Sequence, residues 1–200
     1  MTRVLSGDSH VVEPADVWTT RIDTRYRDSA PHIVKEANGI TGDFFVCEGL
    51  QPFSVSGFAV AGVDPKEYST EMVKGYPGVR PGSWDPVQRL KDQEIDGVQG
   101  EVLYTSLGMF LYGIEDGGLR AASFRAYNDW LAEFCHYAPR RFAGIALIPM
   151  DDVQAAVREV ERCAKLGLKG GLIWGIPLED RTYDNPVWDP LWAAAQTHAM

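Results

Sequence analysis

Asp8 and His10 stand two residues apart at the end of the first apolar run, Val4-Leu5, and just ahead of Val11-Val12-Glu13-Pro14. On a strand, side chains alternate with a period of two, so both groups project from one face. A carboxylate oxygen beside an imidazole nitrogen is half of a divalent-metal site, with donors that suit zinc, manganese or iron. Alone, the pattern more often describes a strand-end Asp capping a turn beside a half-buried His. Glu13 carries two readings as well. It is a partner of the ligands or a proton shuttle facing a cavity, or a loop carboxylate bonded to backbone amides ahead of Pro14.

These side chains need strands to hold them, and the chain from Trp84 onward supplies the pattern. Asp85-Pro86-Val87-Gln88 predicts a helix with Asp as its cap and Pro at its first position, running to about Ile95 before Asp96-Gly97 ends it. Val98 to Thr105 reads as a strand. A helix follows from about Leu119 to Tyr137, burying Ala122, Tyr127, Trp130, Leu131 and Phe134 until Pro139 stops it. Phe142 to Ile148 is a continuous apolar run, the mark of a strand covered on both faces. Asp151-Asp152-Val153-Gln154 opens another capped helix that ends at Gly167, Leu168 to Trp174 is the next strand, and Asp189-Pro190 repeats the earlier cap ahead of a helix through Gln196.

Alternating strands and helices with short connections predict an α/β fold of βαβ units with a parallel sheet. With Val4 to Asp8 as the first strand there are four strands and four helices. Between the first strand and the first capped helix, residues 18–82 form an insertion. Its segments His32 to Val34, Asp43 to Val46 and Phe53 to Val60 read as short antiparallel strands around Asn38-Gly39. This insertion is a lid or a dimerisation arm. Tyr104, Pro149, Met150 and Trp174 fall at the C-terminal ends of the second to fourth strands. There, apolar and aromatic groups suit a planar acid, Tyr104, Met150 and Trp174 being the substrate-binding candidates, or simply pack the loops.

Composition narrows the class. The 200 residues are 45% hydrophobic and 24% charged, as in a globular protein with a real core. A net charge of −9 with no basic run argues against nucleic acid as a partner. No apolar run reaches the length needed to span a membrane, and Met1 to Ser6 is too short for a signal peptide. Three widely spaced cysteines, Cys47, Cys135 and Cys163, fit reduced buried thiols of a cytoplasmic protein. His32, His136 and His198 are assigned no chemistry, the last lying near a helix C-terminus that favours its charge. Asn128 is expected to be a structural hydrogen-bonder.

Six segments, in order and at matching distances, resemble the amidohydrolase-related metal-dependent enzymes, in the branch of aminocarboxymuconate-semialdehyde, resorcylate and salicylate decarboxylases. They are Asp8 to Pro14; Trp84-Asp85-Pro86 with Arg89-Leu90; Gly97-Val98 with Glu101 to Tyr104; Tyr127 to Leu131; Pro139 to Phe142 with Pro149; and Asp189 to Trp192. The resemblance implies a (β/α)8 TIM barrel, of which about four units are present, and one divalent metal ion, zinc ahead of manganese. It places the two first-strand ligands on Asp8 and His10. The remaining ligands, a His after the fifth strand, often another after the sixth, and an Asp after the eighth, would lie beyond Met200. Residues 1–200 are accordingly expected to be the N-terminal part of one barrel domain. The implied activity is non-oxidative decarboxylation or hydrolysis of a small carboxylate-bearing substrate, aromatic acids included, in a homo-oligomer that binds neither nucleic acid nor membrane. The rival expectation is a metal-free barrel-derived binding protein, or a fragment that needs a partner.

Overall fold

The computed structural model describes residues 4–58, 63–71, 74–177 and 179–200. Strand β1 (Leu5–His10) leads into a short helix α1 (Val17–Arg21) and three antiparallel strands, β2 (His32–Ala37), β3 (Ile40–Val46) and β4 (Phe53–Ser54). Then come α2 (Tyr68–Glu71), α3 (Pro86–Asp96), β5 (Gly100–Tyr104), α4 (Gly117–His136), β6 (Phe142–Leu147), α5 (Val153–Lys165), β7 (Gly170–Leu172) and α6 (Asp189–His198).

Aspartates start the long helices. Asp85 accepts hydrogen bonds from the amides of Val87 (2.8 Å) and Gln88 (3.3 Å), and Asp152 accepts one from Ala155 (2.7 Å). Asp116 does the same for α4 through Gly118 (2.7 Å) and Leu119 (3.0 Å). Each satisfies amide donors that the first helical turn leaves without a partner. The last capped start expected from sequence is corrected. Asp189 already has helical dihedrals, because the 3-10 turn Pro186–Trp188, capped by Asn185, runs straight into α6. Its carboxylate sits in the first turn, where the helix dipole favours it.

The main sheet is parallel, in the order β1-β5-β6-β7. Each crossover steps to the next position in the same direction, so the sheet is wound one way, with its C-terminal strand ends on one rim. Helix α4 packs on β6 through Tyr127, Leu131, Phe134 and Cys135, all buried. The contact is close enough to require glycine at position 144. A Cβ there would lie 2.8 Å from Leu168 Cδ2 and 2.9 Å from both Cys135 Sγ and Leu131 Cδ2. Asn128, wholly buried, donates to the carbonyl of Leu147 (3.0 Å) and accepts from its amide (2.8 Å), fixing the end of β6 to α4.

The insertion forms its own sheet, β2-β3-β4, around Asn38 and Gly39. Both turn residues have positive φ (52° and 75°), the two-residue turn that matches strand twist. The expected strand Phe53 to Val60 is corrected to two residues. Residues 56–58 turn into a 3-10 helix, while 59 and 60 lie outside the described residues. The insertion shares the main core. Phe45, wholly buried, packs on Trp18 (ring centroids 5.0 Å apart), whose indole N–H donates to the Ser123 carbonyl of α4 at 3.1 Å. Phe53 stacks on Phe110 at 3.8 Å.

All three cysteines are free and buried, as expected from sequence, one each in the insertion, α4 and α5. Burial pushes the Cys47 thiol up to about 11 and the Cys135 thiol up to about 12, and raises that of Cys163 as well. No helix among the described residues is long and apolar enough to cross a membrane.

Candidate metal centre

The pairing of β1 with β5 carries one extra residue on β1 between Ser6 and Ser9. Ser9 Oγ therefore lies within hydrogen-bond reach of Ser6 Oγ (2.7 Å), three residues away, and donates its one proton to Glu101 at 3.0 Å. A bulge of this kind re-aims side chains at the end of a strand. Asp8 lies inside that bulge and His10 just beyond it, and the two side chains meet, with Asp8 Oδ1 3.6 Å from His10 Nε2. The Asp8 side chain is 85% exposed and that of His10 40%, so both remain open to a ligand.

The imidazole is oriented from behind. Its Nδ1 lies 2.8 Å from the Thr105 carbonyl oxygen. A carbonyl only accepts, so Nδ1 carries the proton and Nε2 offers its lone pair beside Asp8. Metal-bound histidines are held this way as a rule, the second ring nitrogen donating to a carbonyl or carboxylate. The pair thus fits a divalent ion, with one nitrogen and one oxygen donor. Among the described residues no cluster of three or more His, Cys, Asp or Glu stands ready to close a full ligand set.

β1 is clamped to its neighbours by Arg89 on α3. Its guanidinium binds Glu101 of β5 twice, at 2.8 and 3.0 Å, and donates to the His10 carbonyl at 3.1 Å. Gln93 adds a hydrogen bond to Glu101 at 2.6 Å. A cleft of about 290 Å³ between β1 and α3 touches these residues and His10.

Glu13 is wholly buried in the first βα loop. Its carboxylate accepts from the Thr105 hydroxyl and from the amides of Leu107 (3.0 Å) and Gly108 (3.1 Å). The geometry has the features of the loop-anchoring alternative. Burial pushes this carboxyl above its ordinary value, and those donors pull it partly back. With the folded value above the unfolded one, the native state binds more protons between the two. The group's contribution to stability therefore falls as pH rises through the folded value and is fully present only below the ordinary value. We expect the stability of the wild type relative to Glu13→Gln, from urea melts, to rise on acidification from neutrality to about pH 4.5, the ordinary value, and to level off below it. A fall over that range would mean that the three donors outweigh burial.

The three substrate-binding candidates divide. Tyr104 lies against His10, ring centroids 5.9 Å apart. Met150 and Trp174 share a different cavity on the same rim, of about 400 Å³, with Tyr112, Arg120 and Tyr183. Tyr112 stacks on Trp174 at 5.3 Å, and its hydroxyl donates to the Leu172 carbonyl at 2.5 Å. Sequence reasoning missed Tyr112, Thr105 and the clamping role of Arg89. Thr105 does directly follow the strand residue that pairs with His10, which was the available signal.

Parallel strands in sequential order, joined by helical crossovers, define a protein of the (β/α)-barrel type, with the Asp8–His10 pair at the C-terminal end of its first strand. The chain belongs to the amidohydrolase family, whose model (Amidohydro_2, amidohydrolase) matches residues 70–199. Among curated proteins, the gamma-resorcylate decarboxylase of Polaromonas sp. is 41% identical over 78 residues, which cover 36% of this chain and 24% of that enzyme. The 2-amino-3-carboxymuconate-6-semialdehyde decarboxylase of Dictyostelium discoideum is 32% identical over 110 residues, covering 54% and 30%. Among solved structures, an amidohydrolase of Mycobacterium avium subsp. paratuberculosis superposes with a TM-score of 0.73 at 18% identity, over 98% of this chain and 56% of that one. The manganese-bound dihydroxybenzoic acid decarboxylase of Polaromonas sp. does so with 0.56 at 21% identity, over 99% and 47%. The fold is therefore the (β/α)8 TIM-barrel type expected from sequence, in four βα units. The chain spans only about a quarter to a third of the length of these two curated relatives.

Proposed function

We propose that this chain supplies the first-strand half of the active site of a metal-dependent carboxy-lyase acting on aromatic carboxylates. The observation that carries this reading is the His10 ring, held by Thr105 so that its free nitrogen sits 3.6 Å from Asp8. The names of the relatives, decarboxylases of resorcylate and of carboxymuconate semialdehyde, support the reaction class.

In this reading Asp8 and His10 hold one divalent ion, manganese or zinc, with the remaining ligands provided from outside the described residues. Manganese is the ion bound in the Polaromonas decarboxylase structure, and an oxygen–nitrogen donor pair accommodates both. The bound ion would supply positive charge for the substrate's carboxylate and a neighbouring oxygen. Tyr104 would offer an aromatic wall beside the ligands, and Met150 and Trp174 a second apolar surface on the same rim that shields the ring of the acid from water. The insertion, residues 18–82, would act as a lid. Its support is the packing of Phe53 on Phe110, just past the Glu13-anchored turn. Buried reduced thiols fit a cytoplasmic protein, the acidic balance disfavours nucleic acid as a partner, and a homo-oligomer that does not bind membranes completes the reading as an expectation from the family resemblance.

The test combines metal analysis with turnover. The protein, purified without chelator and supplied with Mn2+ or Zn2+, should bind about one equivalent. It should then release carbon dioxide from one or more dihydroxybenzoic acids, and lose that activity to a chelator. Failure to bind either ion would overturn the reading and favour a binding protein on the same fold.

A further inference from the structure

We propose that Thr105 is a positioning residue for the metal-binding imidazole, a hinge through which the buried Glu13 sets the direction of His10. The inference rests on the reading of His10 as a ligand and extends it to residues that touch neither metal nor substrate. Thr105 is 1% exposed and faces two ways. Its carbonyl takes the His10 Nδ1–H at 2.8 Å, while its hydroxyl donates to the Glu13 carboxylate.

Three further contacts keep that hinge from turning. The same carboxylate collects the Leu107 and Gly108 amides, so residues 105–108 fold around it as successive amides fold around an anion. Gly108 leaves no slack, since a Cβ there would meet the Thr105 hydroxyl, and would lie 3.0 Å from Leu147 Cδ1 and 3.3 Å from Glu13 Oε1. From the opposite side, Tyr76 donates its hydroxyl to the Glu13 carbonyl at 2.6 Å, fixing the backbone that carries the carboxylate. Both Glu13 oxygens are occupied and the residue has no exposed surface. It acts through Thr105, not on the reacting atoms.

The hydroxyl is separable from the rest of Thr105. Thr105→Val keeps the carbonyl and the branched shape but leaves the carboxylate one donor short; Thr105→Ser returns the donor. Two readouts apply to the complete chain. The first is Mn2+ affinity by chelator competition. Thr105→Val should weaken it 10- to 100-fold, the usual cost of losing a group that orients a ligand, with Thr105→Ser within about threefold of wild type on the same scale. The second is the tautomer of His10 in the metal-free protein, read by long-range nitrogen–proton correlation about two units above the ordinary imidazole pKa. Wild type and Thr105→Ser should hold the proton on Nδ1, and Thr105→Val should release part of the ring to the Nε2–H form. A Thr105→Val ring that stays wholly Nδ1–H would overturn the proposal, as would a Thr105→Ser variant as impaired as Thr105→Val. If the wild type binds no metal, the functional reading falls, and the tautomer alone still decides whether the hinge exists.

Discussion

His10→Ala is expected to leave the protein folded and, if the proposed site holds the ion, to weaken metal binding about a hundredfold. The side chain is 40% exposed and makes one hydrogen bond, to Thr105, so its removal costs about 1 kcal/mol of stability. The loss to metal binding is far larger. Structural zinc sites with four ligands bind with roughly 10–16 kcal/mol, or about 3 kcal/mol per ligand, and that amounts to about a hundredfold in affinity. Asp8 remains, an exposed carboxylate with no partner nitrogen. Elemental analysis of wild type and variant after identical chelator-free purification checks this, with circular dichroism confirming the fold. A variant that retains the wild-type metal content would show that the ion sits elsewhere and that Asp8 and His10 are structural.

The second large effect is Arg89→Met, which should destabilise the protein by about 3–5 kcal/mol, the usual cost of leaving one member of a buried ion pair alone. Arg89 and Glu101 keep only 13% and 9% of their side-chain surface. Without the guanidinium, Glu101 keeps the hydrogen bonds of Gln93 and Ser9 but has no counter-charge. At about 2–4 °C per kcal/mol for a chain of this size, the melting temperature should drop by roughly 6–20 °C. Adding Glu101→Gln should recover most of the loss, because the stranded charge and not the missing attraction dominates the cost. A drop equivalent to less than about 1 kcal/mol would mean that water in the adjoining cleft solvates Glu101 and that the clamp on the His10 carbonyl carries little load.

Local chemistry written in side chains was legible. Asp85 and Asp152 stood before their helices with the right spacing, and the i, i+2 pair Asp8–His10 does meet, although β1 bulges at Asp8. Asp116 escaped because Gly117-Gly118 reads as a break, although the helix begins on those glycines once Asp116 caps them. Phe53 to Val60 read as a strand from its alternating pattern, and β-propensity has little force where, among the described residues, pairing with β3 stops after Ser54. The hinge behind His10 was illegible for a different reason. Its first link is a backbone carbonyl, which every residue has, and its second joins Glu13 to a threonine 92 positions away.

The three cysteines bear on how this fold can be watched opening. None ionises near neutrality, so none reacts with an alkylating reagent while it stays packed. Cys47 lies just past β3 in the insertion, Cys135 in α4 and Cys163 in α5. Each thiol is thus a native clock for its own region, and labelling rates along the chain separate a local excursion of the insertion from loss of the sheet and its helices. No engineered probe is needed to tell the two apart.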